Sequence, residues 1–128
     1  MENDKLISFL TAKLAKERGF NVPTQYCYLE DNSMQFSSGD DEDFDEYDHN
    51  LWDNYSAPTQ SLLSKWLRDT HYIVVTPTID FVTWECNIIH PDWSDVLVLK
   101  NDDCGNWFST YEEAFEAGIY EALNQIIK

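Results

Sequence analysis

The sequence predicts an α+β fold: a small single domain, residues 1–128, with helices packed on one face of an antiparallel sheet, in the order α-β-β-α-β-β-β-α. Three observations carry this reading. Apolar residues recur at helical spacing in three separated stretches. β-branched and aromatic runs lie between them. Short turn-forming clusters, not helices, join most of those runs, which favours hairpins over parallel βαβ units. A chain of 128 residues suits one domain that buries its core without a metal or a disulfide.

The first helix is expected from Asp4 or Ser8 to Arg18. Leu6, Ile7, Leu10, Leu14 and Ala15 share a face, and Lys13, Lys16, Glu17 and Arg18 lie mostly opposite. Gly19 suits the position just past a helix end, and Pro23 follows. Gln25 to Glu30 and Met34 to Phe36 read as a hairpin about the turn Asp31-Asn32-Ser33. The second helix is expected to open near Ser56-Ala57-Pro58, with Pro58 in its first turn, and to run to Asp69 or Thr70 on the stripe Leu62, Leu63, Trp66, Leu67. Tyr72 to Thr76, Asp80 to Ile89 and Asp95 to Leu99 read as strands, with Pro77 marking an edge or a bulge and His90-Pro91-Asp92 a turn. Thr110-Tyr111-Glu112-Glu113 is a capping box, so the last helix starts there and runs to about Ile127. Its inward stripe is Ala114, Phe115, Gly118, Ile119, Ala122, Leu123 and Ile126.

Charge sets the chain apart. The net charge is −16, from 24 acidic and 8 basic residues. From residue 19 onward there are 4 basic residues against 21 acidic ones, and 8 of the acids lie between Asp40 and Asp53. Residues 37–55 therefore read as an exposed acidic loop within the domain, since such a run cannot pack densely unless its charge is neutralised. It also holds Phe44, Tyr47, Leu51 and Trp52. The overall field opposes approach to nucleic acid or to anionic membranes and favours basic protein surfaces. Lys65 and Arg68 are too few to reverse that. No apolar stretch approaches ~20 residues, and the start MENDKLISFL has no signal-peptide pattern. With three cysteines, Cys27, Cys86 and Cys104, at spacings that fit no disulfide framework, a reducing cytoplasm is the expected compartment.

Three helical segments carry a resemblance. Ile7-Ser8-Phe9 with Thr11 to Phe20, Ser56 to His71 (SAPTQSLLSKWLRDTH) and Thr110 to Leu123 (TYEEAFEAGIYEAL) together resemble a family of small uncharacterised proteins from bacteriophages and prophages of gut Bacteroidota. The matching segments cover a third to a half of the chain. The resemblance implies a phage-related origin and a bacterial host cytoplasm, and it brings no activity and no site residues. Asp40 to Asn54 lies outside the resembling segments.

No diagnostic chemical motif emerges. Asp41-x-Asp43-x-Asp45 begins like a calcium loop, but Glu46 stands where Gly is needed and Trp52 where a bidentate Glu is needed. His71, Cys86, His90 and Cys104 have no zinc-ligand spacing, and a free Cys usually behaves as a small buried hydrophobe. Cys104 with His71 or His90 is the one nucleophile–base pairing that can be written, and no GxSxG, HExxH or glycine-rich phosphate loop is present. No cofactor is expected. The reading the residues favour is a non-enzymatic protein-binding module, an acidic inhibitor of a host nucleic-acid enzyme being one form of it. Its partner would be a host or phage protein with a basic surface, and the chain itself a monomer or weak homodimer. The partner-binding residues would be Asp41, Asp43, Phe44, Asp45, Glu46, Tyr47 and Trp52. The alternatives are an assembly protein that forms a homo-oligomer and a small enzyme without a recognisable motif.

Overall fold

The computed structural model describes residues 5–31, 33–36, 54–101 and 104–126. Among these residues, three helices and six short strands follow one another as α1 (Phe9–Glu17), β1 (Tyr26–Tyr28), β2 (Met34–Phe36), β3 (Tyr55–Ser56), α2 (Gln60–His71), β4 (Val74–Asp80), β5 (Thr83–Ile89), β6 (Leu97–Leu99) and α3 (Tyr111–Asn124). This is the α+β order read from the sequence, with one further strand, β3, ahead of α2. The strands form two three-stranded antiparallel sheets, β2-β1-β3 and β4-β5-β6, where the sequence suggested one. In each sheet the flanking strands fill both hydrogen-bonding edges of the middle strand. The chain divides into two compact units, Met1–Leu62 and Leu63–Ile127, and the division falls inside α2.

In the first unit, Ser8 caps α1 by accepting the Thr11 N–H at 3.3 Å. The helix ends in a Schellman motif: Phe20 N–H reaches Ala15 C=O at 3.0 Å and Gly19 N–H reaches Lys16 C=O at 3.1 Å. Gly19 takes φ +93°, open to it because it has no Cβ, and the turn folds Phe20 into the core. Asp31 Oδ1 holds the β1–β2 turn by accepting both the N–H and the hydroxyl of Ser33. Those bonds, the hydroxyl first, keep the Asp31 carboxyl below its usual range.

The start of α2 differs from the sequence reading. Ser56 pairs with Cys27 of β1, and Ala57 N–H bonds Tyr26 C=O at 2.9 Å. The helix therefore cannot begin until Thr59, whose hydroxyl accepts the Leu62 N–H at 3.2 Å as an N-cap does. Pro58 is buried ahead of the helix and outside its first turn.

In the second unit α3 packs on β4 and β5 and touches β6. The cap forms with one change: Thr110 Oγ1 accepts Glu113 N–H at 3.1 Å, while Glu113 Oε1 accepts the N–H of Ser109, one residue before the N-cap, at 2.9 Å. Ala114, Phe115, Gly118, Ile119, Ala122 and Leu123 are buried, as their spacing predicts. A Cβ on Gly118 would collide with Cys86 Sγ and lie 2.9 Å from Val75 Cγ1, so glycine lets the helix settle onto the sheet. β4 is an edge strand, which accommodates Pro77. Tyr72 is not part of it. With φ +61° it closes α2, its N–H on Arg68 C=O at 3.2 Å.

Candidate functional site

The partner-binding residues read from the sequence, Asp41, Asp43, Phe44, Asp45, Glu46, Tyr47 and Trp52, lie outside the described residues, as does most of the acidic stretch 37–55. Its flanks are described. Phe36 ends β2 opposite Tyr26, and Tyr55 opens β3 opposite Tyr28. The two flanks therefore stand on opposite edges of β1. Lys16 Nζ donates to Asn54 C=O at 3.0 Å and sits 4.9 Å from the Tyr55 ring centroid. Phe9 meets Tyr55 and Tyr28 edge-on, and Tyr28 Oη donates to Ile7 C=O at 2.7 Å. Phe9 and Lys16 of α1 thus hold the start of β3.

The nucleophile and zinc candidates are distributed over different elements. Cys86 is buried in β5 beneath α3, and burial pushes its thiol up to about 12. It is a neutral packing group at physiological pH. Cys27 is buried in β1, and burial raises its thiol too. Cys104 is exposed in the turn after β6. His71 ends α2 with its ring edge-on to Trp66 at 4.8 Å, and burial holds it below its usual value. His90 Nδ1 accepts the Asp92 N–H at 3.0 Å in the turn after β5. Among the described residues no group of three or more His, Cys, Asp or Glu side chains could hold a metal ion.

The structure draws attention elsewhere, to the tip of the β4–β5 hairpin. Register is continuous from Val74↔Ile89 to Asp80↔Thr83, so only Phe81 and Val82 make the turn. Phe81 is 93% exposed, Val82 85% and Ile79 59%. Phe81 has φ +60°. A two-residue hairpin turn with positive φ at its first residue favours Gly there, because L side chains disfavour that conformation. The side-chain alternation of the paired strands places Val75, Pro77 and Ile79 on one face with Ile88, Cys86 and Trp84. That is the face covered by α3, which starts at the Trp84 end. Tyr111 meets Trp84 edge-on at 5.5 Å and Phe115 at 5.4 Å. From there α3 runs away from the tip toward Cys86 and Val75.

The sequence reading missed this turn because it joined Asp80 to Ile89 into one strand. Phe81-Val82 has β-type composition and no turn chemistry. The available signal was length. Tyr72 to Ile89 is an almost unbroken β-like run, longer than the 3–10 residues typical of one strand, and Asp80 stands near its middle.

Acidic residues outnumber basic ones in the sequence of this unit: residues 63–127 hold eleven acidic side chains and three basic ones, Lys65, Arg68 and Lys100. Glu112 and Glu113 occupy the first turn of α3, where the helix dipole favours them, and Glu116 and Glu121 follow. Among the described residues, no helix is long and apolar enough to cross a membrane. No protein-family model, no curated protein and no solved structure matches this chain.

Proposed function

We propose that the chain is a non-enzymatic protein-binding module of bacteriophage or prophage origin that engages a basic protein surface in the cytoplasm of a bacterial host. The observation that carries this reading is the charge distribution. Acidic residues outnumber basic ones by 21 to 4 from residue 19 onward. A field of that sign steers encounter with Lys- and Arg-lined surfaces and repels nucleic acid directly. Ordered carboxylates can occupy a groove that otherwise receives phosphates, so a host nucleic-acid enzyme is a fitting target. Exposed aromatic and aliphatic side chains among the carboxylates supply the desolvated contacts that hold a complex once it has formed.

The test begins with affinity capture from a bacterial host lysate, followed by kinetics with the purified captured protein. Association should slow at least about tenfold between about 50 and 500 mM salt. It should also slow when Asp41, Asp43 and Asp45 are changed to Asn and Glu46 to Gln together. A captured partner with an acidic surface, or an association rate indifferent to both changes, contradicts the reading.

A further inference from the structure

We propose that the Phe81–Val82 tip of the β4–β5 hairpin is the apolar anchor by which this chain docks into an apolar groove rimmed by Lys and Arg on a partner protein. The inference rests on the reading above and names its contact element.

The tip is poorly explained by folding alone. A phenyl ring that is 93% exposed contributes little burial, while its φ of +60° is one that an L side chain disfavours. Asn or Gly at this position would make a better turn. A residue that strains the backbone while its side chain stands in water is best accounted for by contact with something outside the fold.

The stem is built to present it. Seven consecutive register pairs join β4 to β5, α3 packs on both strands, and the Trp84–Tyr111–Phe115 ring chain braces the last turn before the tip. An anchor on a rigid stem loses little conformational entropy on binding. Pro77 removes a backbone donor from the middle of edge strand β4, which disfavours simple strand addition along that edge and leaves the tip as the contact.

Charge selects the occupant. With eleven acids against three basic residues over residues 63–127, Glu85 among them on the hairpin itself, a second copy of the chain and an anionic surface are both repelled. An apolar groove with a basic rim meets both features at once: the ring enters the groove and the carboxylates face the rim.

The experiment uses two synthetic peptides of about 18 residues, each with the same number of lysines, one with a leucine face and one with serine in its place. Binding to the full chain is followed by NMR and by affinity. The expected result is preferential binding of the Lys/Leu peptide, with shifts centred on Ile79 to Trp84. Phe81→Asp, which tolerates positive φ and keeps the fold, should weaken it about 30-fold. Leu10→Asp, an equal change on the exposed face of α1, should leave it within about twofold. If the Lys/Leu peptide binds equally well to wild type and Phe81→Asp, or no better than the Lys/Ser peptide, the tip is not the anchor although the acidic-module reading stands. If neither peptide binds at low salt, that reading fails with it. Dimerisation lost in Phe81→Asp, or adsorption to phosphatidylcholine vesicles, would assign the tip to a second copy or to a bilayer and overturn the proposal.

Discussion

At one end of the β4–β5 hairpin, Gly118 of α3 lies so close to Cys86 and Val75 that an added methyl has no room. At the other end, the whole phenyl ring of Phe81 stands in solvent on a backbone that disfavours it. The same two strands thus carry a position where the smallest side chain is required and one where a large side chain is retained at a cost. The packed end follows from folding energetics. The open end does not, and that contrast motivates the docking proposal. Two helix ends show a related difference in residue type: α1 closes on Gly19 and α2 on Tyr72, both at positive φ and both exposed.

The packed end should respond most. Gly118→Val should destabilise the protein by about 3 kcal/mol or more, because the branched side chain must displace Cys86 or lift α3 from the sheet. Urea denaturation measures this, and a loss under about 1 kcal/mol would mean that the helix does not rest where described.

Cys86 gives the packed end a pH signature. Its thiol is raised from an ordinary value of 9.0 to about 12. Between those values the unfolded chain loses the proton while the folded chain keeps it. Its stabilising contribution is therefore complete below about pH 9 and lost as pH rises toward 12. By about pH 10.5 the loss should reach about 2 kcal/mol. Cys86→Ala should start less stable and show a shallower decline over the same window. Equal slopes for the two proteins would remove Cys86 as the cause.

How much of this was legible in the sequence depends on whether the signal was local. The N-cap at Thr110 and the helix end at Gly19 are short-range chemistry, and both form as read. So does the Asp31–Ser33 turn. β3 was not legible, because Tyr55 and Ser56 become a strand only by pairing with Tyr28 and Cys27, far back in the chain. That pairing also moves the start of α2 from Pro58 to Thr59. The turn at Phe81 was hidden for the opposite reason: its residues argue locally for strand. The acidic stretch was the most visible feature of the sequence. The partner-binding residues read within it lie outside those described.

At the open end the changes should be smaller and of opposite sign. Phe81→Asn should raise stability by about 1 kcal/mol by placing a residue tolerant of positive φ in the turn. Tyr72→Gly should raise it by about 0.5 kcal/mol, less because glycine also adds freedom to the unfolded chain. Thermal melts of the two variants rank them directly.

The most direct test of the contrast is Phe81→Asn examined twice on one preparation, for urea stability and for affinity toward the Lys/Leu peptide. The expected result is a protein about 1 kcal/mol more stable that binds about 30-fold more weakly. A variant that is no more stable, or that binds the peptide as tightly as the wild type, would contradict the claim that this turn gives up stability in return for a contact.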